Sequence, residues 1–348
     1  MDKKFDKYFG YIGSFFTIVG FGITYLIPSP YQIYAAGGVV VCTLIWLSYF
    51  IGRRSVKKEI AVRISQQPFI DALIEFFHKK KTEGKDAEII RWGLSLSTPL
   101  WLSQKYEIRR SIGEFVETSA ISLDNHKALI RALIDDIGWT SVELRDYSFA
   151  KEKLLQGVEL ACRHNELVFL AKGYRHLFGL NFRQNQIEEA ERYLALSLDV
   201  MNNLIEGVSK DEIVAEYHFA KSSLEAKKGN FEEAIKEIDK AKEGYDKLED
   251  KEWVIKILAR KGEILVALNK IEEAKSLFVK GLSESKKSQF NRQQVKNLIG
   301  LGMCCSKTGY NKQANENFTE AELLAESIGM YYELEIIHAE KIKLRAKE

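Results

Sequence analysis

Hydrophobic and polar residues follow two different patterns along this chain. From Tyr8 to Gly52 there is no Asp, Glu, Lys, Arg or His. Pro28-Ser29-Pro30 splits the run into two apolar segments, Tyr8 to Ile27 and Tyr31 to Ile51. Each is about 20 residues, which at ~1.5 Å per residue matches a hydrocarbon core of ~30 Å. The first 52 residues are therefore expected to form a transmembrane hairpin. Beyond Arg53 charged residues return, and apolar positions recur at spacings of three and four. That pattern predicts amphipathic helices. Residues 53–87 read as a helical juxtamembrane linker in which Phe69, Leu73, Ile74, Phe76 and Phe77 cluster. Residues 88–348 read as one long helical array.

A phrase repeats within that array. Gly229-Asn230-Phe231-Glu232-Glu233-Ala234-Ile235 has echoes at Asp146 to Ala150, Gln186 to Ala190, Lys270 to Ala274 and Tyr310 to Ala314. Gly229 and Asn230 suit a tight turn with left-handed backbone. The alanines at 150, 190, 234, 274 and 314 are separated by steps of 40, 44, 40 and 40. Twelve residues before each stands Gly138, Phe178, Ser222, Gly262 or Gly302, small in every case but Phe178. Four residues after come Leu154, Leu194, Ile238, Phe278 and Phe318, and three further on Gly157, Ser197, Ala241, Gly281 and Ala321. Small residues facing small residues let two antiparallel helices approach, while the bulky ones fill the next pair. A fixed period of this length predicts a stacked solenoid.

This order of small, aromatic and alanine positions resembles the tetratricopeptide repeat (TPR) family over residues 128 to 325. The family's period is about 34 residues, so the longer repeat requires longer helices or larger turns. The expected fold is all-α: two transmembrane helices, then a TPR-like α-solenoid of five clear units. A degenerate unit precedes them over residues 88–120, where Tyr106 falls 41 residues before Tyr147. A capping helix follows from Met330 to Lys347. The Trp92–Tyr106 phrase with Ile137-Gly138-Trp139 also loosely resembles the repeat regions of bacterial STAND signalling proteins.

Lys3, Lys4 and Lys7 precede the apolar run and Arg53, Arg54, Lys57, Lys58 and Arg63 follow it, which places both termini on the cytoplasmic side of an inner membrane. Gly10, Gly13, Thr17, Gly20 and Thr24 share one helix face. Ala35, Gly38 and Cys42 share another. Small faces of this kind pack membrane helices on one another, or on a second copy of the chain.

Net charge is +2 over 348 residues, which gives no electrostatic footprint for nucleic acid. Cys42, Cys162, Cys304 and Cys305 have no disulfide-framework spacing, and Cys304 and Cys305 read as adjacent buried side chains on one helix. There is no phosphate loop, no nucleophile elbow, and no pair of histidines three or four apart. The sequence therefore suggests no catalytic residues, no cofactor and no metal.

The first helix of each unit should line a concave groove. Its wall is expected to carry Trp139, Phe182 and Phe219 as apolar anchors, and Lys172, Arg175, Arg183, Lys256, Arg260 and Lys296 as cations, with Asp135 and Glu263 among them. Such a wall would attract an acidic or carboxylate-bearing peptide. The familiar Lys-Asn clamp of the TPR family for a terminal carboxylate is not at the matching positions. These features predict a membrane-anchored scaffold or adaptor that binds a protein or peptide, with lipid as second partner. The alternative is a sensor-effector of a bacterial defence or toxin system, in which the hairpin assembles to disrupt the membrane.

Overall fold

The computed structural model describes residues 67–346, and among these all regular structure is helical. The chain runs through α1 (Gln67–Thr82), α2 (Asp86–Leu102), α3 (Tyr106–Ser122) and α4 (His126–Arg131), then a π-helical stretch (Ala132–Trp139) and α5 (Thr140–Glu143). There follow α6 (Tyr147–Arg163), α7 (Leu167–Arg183), α8 (Ile187–Asn202), α9 (Val208–Lys228) and α10 (Phe231–Lys247). The last five are α11 (Lys251–Ala267), α12 (Ile271–Ser288), α13 (Asn291–Lys307), α14 (Asn311–Ser327) and α15 (Tyr331–Arg345). The described residues fall into two compact units, unit 1 ending at Ala132 and unit 2 beginning at Leu133.

The long period is explained by a module of half its length. Helices α2, α3, α6, α7, α10, α11, α13 and α14 are each 17 residues long. Most are joined by three residues, of which the middle one is left-handed: Gln104, Asp124, Arg145, Asn165, Asn185, Glu249, Asn269, Gly309 and Gly329. In each turn the next amide donates to the carbonyl five residues back, as Asn230 does to Glu225 at 2.9 Å and Lys270 to Leu265 at 2.9 Å. This closing bond of the Schellman motif satisfies a helix-end carbonyl. Gly229 has the left-handed backbone expected of it, with φ 86°, whereas Asn230 does not, with φ −85°.

Two departures from the regular step have structural causes. Left-handed residues at 104, 124, 145 and 165 are 20, 21 and 20 apart. The single extra residue falls in the segment containing Ala132–Trp139, where the helix widens to i→i+5 bonding to absorb it. The step of 44 coincides with α9, which at 21 residues is the longest described helix.

In unit 2 the repeated alanines, Ala150, Ala190, Ala234, Ala274 and Ala314, are all fully buried. Leu154, Ile238, Phe278 and Phe318 are fully buried beside them. Ser222, at a small position, donates to the Ala234 carbonyl at 2.7 Å across the helix pair. Unit 1 has its own core of Leu73, Phe77, Ile89, Leu96, Leu100 and Ile112, with Ile74 and Phe76 packed against it.

The inner-membrane localisation is corrected by the structure. Among the described residues no helix is long and apolar enough to cross a membrane. Even the longest, α9, carries Lys210, Asp211, Glu212 and Glu216 within its first half. The two predicted spans, with Gly10, Gly13, Thr17, Gly20, Thr24, Ala35, Gly38 and Cys42, lie outside the described residues.

Candidate functional site: the inner wall of unit 2

Helices α7, α9, α11, α13 and α15 pack on one another in succession, and the first four of them also pack on the helix that follows in sequence. The intervening helices α8, α10, α12 and α14 make no comparable contacts with one another, so the first series is the more closely spaced row and its face is taken as the inner wall. One helical face of α7 presents Lys172, Arg175, His176 and Arg183, spaced by three, one and seven residues as a 3.6-residue period requires. Contributions from α9 are Glu216 and Phe219, from α11 Lys256, Arg260 and Glu263, and from α13 Arg292 and Lys296. Tyr332 and Glu333 come from α15.

Ion pairs join these helices. Lys172 Nζ lies 3.3 Å from Asp135 in the π-helical stretch, and the Asp135 carboxylate, with burial working against it, raises the lysine's pKa. Arg175 Nε lies 2.7 Å from Glu216. Lys296 Nζ lies 3.5 Å from Glu333, yet burial pushes the ammonium's pKa down despite that carboxylate, with Arg292 adding to the effect. His176 Nε2 is 3.2 Å from Asp135, and its ring stacks on Trp139 at 4.6 Å. Burial and the Arg175 charge push this imidazole down to about 3, against the Asp135 carboxylate. It is therefore neutral at physiological pH.

Glu143 gathers two guanidiniums. Arg183 Nη2 donates to one carboxylate oxygen at 2.7 Å and Arg292 Nη2 to the other at 3.0 Å. Burial alone would raise the carboxyl pKa; the two arginines outweigh it and hold it well below the usual range. Arg183 also lies over the rings of Trp139 at 5.2 Å and Tyr332 at 5.3 Å. Because Arg292 is 149 residues from Glu143, and Arg145 pairs with Glu335, the last helices of unit 2 come back to its first.

Lys256 is placed differently. Its Nζ is 3.4 Å from the Trp253 ring centroid and 4.6 Å from that of Phe219. Trp253 stacks on the buried Tyr245 ring at 4.5 Å and meets Phe219 edge-on at 5.3 Å. Among Lys172, Arg175, Arg183, Lys256, Arg260, Arg292 and Lys296, Lys256 is the only one for which no carboxylate partner is found among the described residues. Burial, with the nearby charges of Lys296 and Arg175, pushes its pKa well below the ordinary lysine value.

The structure therefore brings together Trp139, Lys172, Arg175, Arg183, Phe219, Lys256, Arg260 and Lys296. Phe182 instead stacks on the buried Phe178 at 5.5 Å. Trp139, expected as an open anchor, is engaged by His176 on one side and by Arg183. Sequence reasoning did not select Glu143, Glu216, Trp253, Arg292, Tyr332 or Glu333. Arg292 and Glu216 could have been found, because they stand four residues before Lys296 and three before Phe219 on the same faces.

No family model matches the chain, and no curated protein matches it. Solved structures do. The chain is similar to the apo form of RapI, with TM-score 0.58 and 14% identity, covering 80% of this chain and 99% of RapI. It is similar to a Rap protein complexed with Competence and Sporulation Factor, with TM-score 0.57 and 9% identity over 96% and 92%. The apo quorum sensor NprR from B. thuringiensis aligns at TM-score 0.53 and 15% identity, over 88% of each chain. A Pyrococcus horikoshii STAND protein with a tetratricopeptide repeat sensor aligns at TM-score 0.47 and 19% identity, over 78% of this chain and 42% of that one. The Rap and NprR likenesses show a TPR-like helical-repeat fold.

Proposed function

We propose that the chain is a binding module whose inner wall in unit 2 holds an extended segment of a protein or peptide. The observation that carries this reading is the wall itself. Partly exposed cations and aromatic rings from α7, α9, α11 and α13 converge there, with their stems fixed by ion pairs and stacking. Side chains immobilised before a ligand arrives lose little entropy on binding it. The likeness to a Rap protein solved with Competence and Sporulation Factor supports the reading by analogy of fold.

A role in binding without catalysis fits the chemistry present. His176 is kept neutral and stacked, and the carboxylates of the wall are engaged with cations. Membrane tethering, a lipid partner, self-association through the hairpin and the membrane-disrupting alternative find no support among the described residues. They are not part of this proposal.

A photo-crosslinking side chain placed at Phe219, on the inner wall, is expected to capture one defined partner segment, identified by mass spectrometry. The same group at Val279, which is 52% exposed on α12, should not capture it. Equal capture at both positions, or capture at Val279 alone, would remove the groove from consideration.

A further inference from the structure

On the inner wall seven cations face five carboxylates, and one of the seven has no carboxylate partner among the described residues. Asp135, Glu216, Glu263 and Glu333 each hold a cation, and Glu143 holds two. Lys256 remains unmatched. Its ammonium lies against the Trp253 and Phe219 rings and feels the charges of Lys296, Arg175 and Arg292, with Glu216 acting in the opposite sense. That glutamate is itself 2.7 Å from Arg175 Nε. Ring faces attract a cation, but they do not neutralise it. A half-buried charge without a partner is held at a cost, and a counter-charge that arrives there reduces it.

We propose that the ligand supplies this charge: Lys256, seated on Trp253 and Phe219, anchors a carboxylate of an acidic peptide segment. This rests on the groove reading above and adds the chemistry of what the groove takes. The seat offers a single ammonium on two ring faces, a point contact that suits one carboxylate. The seat is fixed in advance, because Trp253 is clamped between Phe219 and Tyr245. Burial and the charges of Lys296 and Arg175 lower the basicity of Lys256, and a carboxylate seated beside it would act in the opposite direction.

The test uses the full chain and three fluorescein-labelled pools of random nonapeptides. The first contains two glutamates and an amidated carboxyl end, the second glutamines and the same amide, and the third glutamines and a free terminal carboxylate. The proposal expects the first or third pool to bind about 10-fold to 100-fold tighter than the second, as for a hydrogen bond to a charged group. Which of the two binds tells whether the carboxylate belongs to a side chain or to a chain end.

Lys256→Met should erase the difference, whereas Lys256→Arg and the exposed control Lys287→Met should keep it. Lys256→Met should also melt no lower than the parent, because it removes a desolvated charge. An acid preference that survives Lys256→Met, or equal binding of all three pools, overturns the anchor and leaves the groove standing. No binding by any pool, together with no inner-wall crosslink at Phe219, overturns the groove itself.

Discussion

Phe278 is fully buried between two glycines that have no room for a side chain. A Cβ on Gly262 would stand 2.6 Å from its Cζ, and one on Gly300 2.2 Å from its Cε1. A ring cannot swing aside as the end of a flexible chain can. Gly262→Ala is therefore expected to lower stability by about 1–3 kcal/mol, read from the midpoint of urea unfolding.

Glu237 offers a second test at this scale. Its side chain is 1% exposed and takes bonds from His218, Lys240 and Lys221. Burial opposes its charge, but those donors outweigh it and lower the carboxyl from the ordinary 4.5 to about 2. A depressed carboxyl stabilises the fold fully above its unfolded value and loses that contribution as pH falls towards the folded one. Circular dichroism should show stability declining between about pH 4.5 and about 2, and Glu237→Gln should flatten that decline.

Cys304 and Cys305 behave as small apolar residues. Both are buried and face different neighbours, Ile271 and Gln313, and burial pushes the Cys304 thiol up to about 11. Maleimide labelling followed by peptide mapping should modify the exposed Cys162 and spare both until the chain unfolds.

Helices and turns show where the sequence is readable. The alanines could be placed from sequence because a close helix contact admits little else, and each is 0% exposed. Most turns could not. Gln104, Asp124, Arg145, Glu249 and Gln289 are left-handed without being glycine. The helix-end bond imposes that backbone on whatever residue stands there, at a cost of about 1–2 kcal/mol against the residue's own preference. Gln289→Gly is accordingly expected to raise stability by about 1 kcal/mol in chemical denaturation. The step of 41 between Tyr106 and Tyr147 was likewise visible, but not where the surplus residue goes. It goes into the π-helical stretch that carries Asp135 and Trp139, two residues of the inner wall.

For unit 2 as a whole, the cations of the candidate site were legible because each lies on a predictable face of its own helix. Their partners were not. Lys172 pairs with a residue 37 positions away and Arg292 with one 149 away, and no local period carries such information. Glu143 is where this matters most. Replacing it with glutamine leaves two buried guanidiniums facing one another, a loss of the kind that costs about 3–5 kcal/mol. Glu143→Gln should make the amides of α15 exchange faster in hydrogen-exchange mass spectrometry, while those of α10, remote from the clamp in sequence, keep their rates.

Repeat arrays commonly grow or shrink by copying whole hairpins, since each unit needs only its neighbours. Here the first and last rungs are also tied, through Glu143 to Arg292 and through Arg145 to Glu335. Splicing in a second copy of one hairpin would carry Arg292 and Glu335 out of reach of their mates. The number of units is thereby held by two knots of opposite charge rather than left free to drift.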